Sequence, residues 1–76
     1  MKTNIKALRE KKGITQEDLA DMVGVTRQTI LFLEKGTYNP SLRLSYKLAR
    51  IFNATIEEVF SFDDDELHPL IKRARK

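Results

Sequence analysis

Residues 16–35 read QEDLADMVGVTRQTILFLEK. Apolar residues recur at Leu19, Ala20 and Val23, and again at Ile30 and Leu33, each set on one face of a helix. Thr15 and Thr26 stand where each helix needs an N-cap, a side-chain oxygen that accepts a free backbone N–H. Gly24 lies between the two sets. A left-handed backbone there costs glycine little and strains any residue that carries a Cβ. The spacing predicts one helix over 16–23, a second over 27–35, and a tight turn between them. Ala20 is the small residue that lets the two cross closely.

Two short helices joined this way form a helix-turn-helix, whose second helix enters the major groove of duplex DNA. The surrounding sequence extends the pattern. The run LREKKGITQEDLADMVGVTRQTI, then LEKGTYNPSLRLSYKLARIF and TIEEVF, resembles the Cro/C1-type (Xre) helix-turn-helix family of phage repressors and small bacterial or archaeal regulators. The likeness spans residues 5–60 and is closest in appearance to the very short, cytolysin-repressor-like members. It implies an all-α fold of five helices, a lambda-repressor-like DNA-binding domain, with room for short terminal β-strands at a dimer interface.

Composition sets the bounds. Seventy-six residues make one small domain with little room for an effector-binding unit. There is no cysteine, hence no disulfide framework and no thiolate metal site. The core must rest on packing or dimerisation. The net charge of +3 permits nucleic-acid binding without establishing it. The excess lies in residues 1–62, with ten Lys/Arg against seven Asp/Glu; residues 63–76 carry four of each. No signal peptide and no apolar run near the length of a membrane span occurs, so a soluble cytoplasmic protein is expected. The chain divides into a DNA-binding domain, 1–62, and a charged C-terminal tail, 63–76.

Ahead of the decisive stretch, a first helix is predicted from about Asn4 to Lys12, burying Ile5 and Leu8 and stopped by Gly13. Lys6, Lys11 and Lys12 read either as a solvated face or as a DNA-facing cluster. Behind it, Gly36 ends the helix that begins at Arg27. Leu31 and Phe32 lie beside the core positions Ile30 and Leu33. Either they widen the core contact or Phe32 faces the groove, where an aromatic ring meets thymine methyl groups.

A fourth helix is predicted over about Ser41 to Phe52. Its start is Asn39 as cap with Pro40 at the first position, or Ser41 as cap. Its buried stripe is Leu44, Leu48, Ile51 and Phe52, with Ser45 and Ala49 as close-approach positions, and Asn53 suits a left-handed exit. Thr55–Glu58 is a capping box that opens a fifth helix, in which Ile56, Val59 and Phe60 close the core. Ser61 and Phe62 read as one extended segment. The shortest members of the family pair such a segment across a two-fold axis, which implies a homodimer with Phe60 and Phe62 at its interface. An exposed Phe62 in a monomer would otherwise be an unexplained apolar spot.

Recognition of duplex DNA needs base-edge contacts that specify and phosphate contacts that position. The first turn of the second helix of the pair offers Arg27, Gln28 and Thr29. Arginine bonds guanine O6 and N7 together, glutamine bonds adenine N6 and N7, and threonine bonds an edge or packs on thymine. Arg27 and Gln28 are the leading base readers, with Thr29 and Phe32 next. The bland reading of Arg27, Gln28 and Thr29 is exposed polar residues of a surface helix. The resemblance places phosphate donors at Gln16, Lys35, Tyr38, Asn39 and Arg43. Tyr38 reads equally as a ring packed over the preceding helix. Thr26 is chiefly a cap whose hydroxyl can also meet a phosphate. Lys47 and Arg50 read as solvated. The resemblance also implies a structural ion pair between Arg9 and Glu34, tying the first helix to the end of the third.

No catalytic, metal or cofactor site is expected. His68 stands alone beside Pro69, and residues 63–66 lack the glycine and distal glutamate of a calcium loop. The tail reads as solvated, as a basic arm on DNA through Lys72, Arg73, Arg75 and Lys76, or as a segment that binds a protein partner. The function expected is a dimeric, sequence-specific regulator, most simply a repressor, on double-stranded DNA bearing an inverted repeat. No membrane and no small-molecule effector is implied. The rival from another class is a protein-interaction module, such as the antitoxin of a toxin–antitoxin pair, with the tail on its partner.

Overall fold

The computed structural model describes residues 1–62, in which five helices and a two-stranded sheet follow one another. In chain order they are β1 (Lys2–Thr3), α1 (Ile5–Lys12), α2 (Gln16–Val23), α3 (Arg27–Lys35), α4 (Leu42–Ile51), α5 (Ile56–Val59) and β2 (Phe60–Ser61). The tail 63–76, with the arm and partner-binding readings made for it, lies outside the described residues.

Each helix sends apolar side chains to a common core. Ile5, Leu19, Ile30, Leu33, Leu48 and Val59 are wholly buried, and Ala20, Val23, Leu44, Ala49 and Phe60 fill the space around them. Each fully buried Leu, Ile or Val contributes roughly 1.5–3 kcal/mol. Leu8, Ile51, Phe52 and Ile56, read from the sequence as core, are only half-buried and pack against its edge. Ile51 and Phe52 fall in the last turn of α4 and just beyond it, where the chain is already turning toward α5.

Local chemistry sets the helix boundaries. Thr15 Oγ1 accepts the Asp18 N–H at 3.0 Å, and Asp18 Oδ2 accepts the Thr15 N–H at 3.0 Å, closing a reciprocal cap on α2. The Thr15 backbone N–H, and after it the Thr15 hydroxyl, hold the Asp18 carboxyl below the usual carboxylate range. Thr55 and Glu58 make the same reciprocal cap at α5, with bonds of 3.1 and 2.9 Å. Gly24, at φ 75°, ends α2 and turns the chain into α3.

Of the two starts read for α4, Ser41 is the cap. Its backbone is extended (φ −64°, ψ 160°) and its Oγ accepts the Leu44 N–H at 3.1 Å. That bond is available only when Ser41 stays outside the helix, which leaves Pro40 in the approach rather than in the first turn. Asn53 leaves α4 at φ 51°.

The two ends of the described stretch meet. β1 and β2 pair antiparallel, with Lys2 opposite Ser61 and Thr3 opposite Phe60. The extended segment therefore starts one residue earlier than the sequence suggested. Phe60 takes φ −125° and ψ 140°, closing α5 while its ring turns into the core. The join continues in Asn4, whose backbone N–H donates to Val59 O at 2.9 Å and whose Nδ2 donates to Glu58 O at 2.8 Å. Beside this corner lies Gly36, the left-handed stop of α3 at φ 75°. A Cβ on Gly36 would run into the backbone carbonyl oxygen of Met1.

Candidate nucleic-acid interface

The first turn of α3 is built by Thr26. Its backbone is extended, and its Oγ1 accepts the Thr29 N–H at 3.3 Å and shares a bond with Thr29 Oγ1 at 3.2 Å. The hydroxyls of Thr26 and Thr29 are thus engaged with each other, and Thr29 is half-buried. Arg27 and Gln28 are exposed on the same turn. The side chain of Gln28 makes no hydrogen bond among the described residues. Phe32 is 40% exposed rather than in the core. Gln28 and Phe32 are four residues apart, so an amide and an aromatic ring sit one turn above the other on one face.

Behind this face runs a chain of hydrogen bonds through three helices. Arg9 of α1 donates from Nε to Glu34 Oε2 at 2.8 Å and from a terminal guanidinium nitrogen to Ile14 O at 3.0 Å. The side chains of this ion pair are 12% and 8% exposed. Gln16, the first residue of α2, donates from Nε2 to the other carboxylate oxygen, Glu34 Oε1, at 2.9 Å. Its own Oε1 accepts from Arg27 Nε at 3.3 Å. Gln16 therefore touches both ends of the exposed helix, with one amide hydrogen left over.

The other residues read as phosphate donors are distributed around the end of α3. Lys35 closes the helix, Tyr38 and Asn39 lie in the loop that follows, and Arg43 lies in the first turn of α4; all are exposed. Tyr38 is 41% exposed. Lys47 and Arg50 are exposed on α4, with the Arg50 guanidinium 5.8 Å from the centroid of the Tyr46 ring. Phe60 and Phe62 sit apart from this group. They line an open groove of about 390 Å³ together with Met1, Leu42 and Ile56. Phe60 is buried in its own chain, whereas Phe62 is 51% and Leu42 78% exposed.

The bond from Gln16 to Glu34 was not read from the sequence. Gln16 is eighteen positions from Glu34, and no periodicity within one helix links residues that meet only when two helices cross. The signal available was chemical: Glu34 has two carboxylate oxygens, and one arginine fork need not use both. Among the described residues no cluster of side chains suited to a metal occurs, and no helix is long and apolar enough to cross a membrane.

Comparison with known proteins places this geometry. A helix-turn-helix family model matches residues 5–59. An uncharacterised HTH-type transcriptional regulator of Archaeoglobus fulgidus is 66% identical over 67 residues, 88% of this chain and 96% of that protein. The cryptic phage CTXphi transcriptional repressor RstR of Vibrio cholerae is 33% identical over 70 residues, 92% of this chain and 63% of that protein. Among solved structures, the restriction-modification controller protein C.AhdI of Aeromonas hydrophila superposes with a TM-score of 0.66 at 36% identity, covering 74% of this chain and 85% of that one.

Proposed function

Because this chain belongs to the Cro/C1-type helix-turn-helix family and is a DNA-binding transcriptional regulator, we propose that it acts as a homodimeric repressor on an inverted-repeat operator. The observation that carries the reading is the first turn of α3. There Arg27 and Gln28 stand exposed on a helix whose other side is fixed to α1 and α2 by Glu34. A recognition helix needs that combination of a rigid seat and exposed polar tips.

In this reading Arg27 and Gln28 bond base edges, with Thr29 and Phe32 contributing a methyl group and a ring. Gln16, Thr26, Lys35, Tyr38, Asn39 and Arg43 hold the flanking phosphates. Gln16 has one amide hydrogen to give, and the N-terminal amides of α2 and α4 add partial positive charge. Residues 1–62 form the binding domain, and residues 63–76 form a separate charged tail. Phe62 and the groove beside it meet a second copy, so that two α3 helices reach successive turns of one face of the duplex, roughly 34 Å apart. Phe60 then supports that surface from inside the core. Binding of this kind represses by occupying the path of polymerase, in the cytoplasm, and asks for no cofactor, effector or catalytic step. A relative named as a repressor supports the sign of regulation.

The test is a selection from random duplex DNA at physiological salt, run for the full chain and for Gln28→Ala. The expected result is an enriched inverted repeat that relaxes at one position per half-site in the variant, with a discrimination loss of roughly 1–3 kcal/mol there. Binding without an enriched site, vanishing as salt rises, would sink the reading.

A further inference from the structure

The hydrogen bonds behind α3 have a direction, and it ends at Arg27. Glu34 offers only acceptors, and Arg27 offers only donors. Gln16 lies between them, and its amide satisfies both in one orientation alone: NH2 toward Glu34 and carbonyl oxygen toward Arg27, with bonds of 2.9 and 3.3 Å. Arg9 occupies the remaining oxygen of Glu34 at 2.8 Å. Each member therefore dictates how the next one faces. We infer that Glu34, beyond joining α1 to α3, is a positioning residue for base recognition: by fixing the amide of Gln16 it aims the guanidinium of Arg27 at its base.

The inference rests on the proposed reading that Arg27 reads a base edge. Its physical content is orientational. An exposed arginine has many rotamers, and ordering it on binding costs free energy. A bond from Arg27 Nε to a fixed carbonyl oxygen restricts those rotamers beforehand. It leaves the two terminal nitrogens free for the paired acceptors of guanine. The second hydrogen of the Gln16 amide stays available to a phosphate, so one fixed amide sets the register of the backbone and the aim of the reader together.

Donor and acceptor logic supplies a test that ordinary structural loss does not imitate. In Glu34→Gln the new amide keeps an oxygen for Arg9 and turns its NH2 toward Gln16. Gln16 must flip to accept it, which sets its own NH2 against Arg27 Nε, donor against donor. In the double variant Gln16→Glu with Glu34→Gln, a carboxylate at position 16 accepts from both neighbours and the chain of bonds is whole again. That carboxylate also repels phosphate, so the double variant binds every duplex more weakly.

The readout is the ratio of affinities for the selected site and for the same site altered at the base pair that Arg27→Ala relaxes. Arg27→Ala is expected to lower that ratio by roughly fivefold or more. Glu34→Gln should lower it by roughly threefold or more at the same position only, and the double variant should recover it despite weaker binding overall. Gln16→Met, which leaves the Arg9–Glu34 pair in place, should lose the same ratio and serves if Glu34→Gln does not fold. If Arg27→Ala relaxes a position and neither Glu34→Gln nor Gln16→Met does, Glu34 only holds helices together and the inference is wrong. Relaxation in Glu34→Gln without recovery in the double variant also overturns it. If Arg27→Ala relaxes no position, the assignment of Arg27 as a reader fails first, and the inference fails with it.

Discussion

Helix α3 is held to the molecule in two unlike ways. Along the side that meets α1 and α2, it is held by side chains: Arg9 to Glu34, Glu34 to Gln16, and Gln16 to Arg27. Just past its last turn it is held by backbone, where Gly36 at φ 75° lies against the carbonyl of Met1. A side-chain attachment can be exchanged for another with matching donors and acceptors. A backbone attachment admits only a residue without a Cβ. The polar side can therefore vary in what it presents while the far end keeps the helix at one angle.

The largest effect expected on this contrast comes from Arg9→Ala. It leaves the Glu34 carboxylate, only 8% exposed, without its cation and Ile14 O without its donor. Removing one partner of a buried pair costs about 3–5 kcal/mol, and the slight exposure here favours the lower end, about 3 kcal/mol. Denaturant unfolding of the full chain measures it. A loss below 1 kcal/mol would mean that side chains do not fix α3 and that the contrast is false.

Next come two of the helix-ending glycines, Gly24 and Gly36. Gly24→Ala and Gly36→Ala both place alanine at φ 75°, which costs roughly 1–2 kcal/mol. Around Gly24 a new Cβ meets nothing within contact distance, while at Gly36 it meets Met1. Gly36→Ala should therefore lower the melting temperature further than Gly24→Ala. Equal losses would show that β1 yields freely and that the backbone attachment is soft.

The smallest effect is a pH dependence at the cap of α2. The Asp18 carboxyl is held below its ordinary range by Thr15, so the folded state binds its proton less readily than the unfolded state does. That contribution is present above the unfolded value, near 4, and is lost as pH falls through the lower folded value. Asp18→Asn should be less stable than the native chain at neutral pH, and the gap should close in acid. A gap that persists unchanged below about pH 3 would refer the cap to the threonine alone.

What the sequence disclosed follows the range of the forces. The ends of α2 and α3 were legible because a threonine oxygen and a glycine act within one turn. The capping box at Thr55 and the left-handed Asn53 were legible for the same reason. The start of α4 was open between Asn39 and Ser41 because both are good caps, and what separates them is the extended backbone of Ser41, whose Oγ accepts the Leu44 N–H. Ile51 and Phe52 looked central by periodicity, yet periodicity gives a face and not a depth. In the interface, Arg27 and Gln28 could be placed on the first turn of a helix from spacing alone. The double use of Gln16 could not, since it depends on two helices crossing at one amide.

The pairing of Lys2 with Ser61 and of Thr3 with Phe60 has a kinetic side. The helices α2 and α3, and α4 and α5, meet partners near in sequence, and such contacts close quickly. The ladder joins Lys2 and Thr3 to Phe60 and Ser61, and it can form only after the five helices between them have been brought round, the costliest loop to close among the described residues. It is thus expected to close last in folding and to part first. When it parts, the stop at Gly36 loses the carbonyl packed against it. Amide hydrogens of the ladder should exchange with solvent ahead of those in the core helices, and the end of α3 should follow the ladder rather than the core.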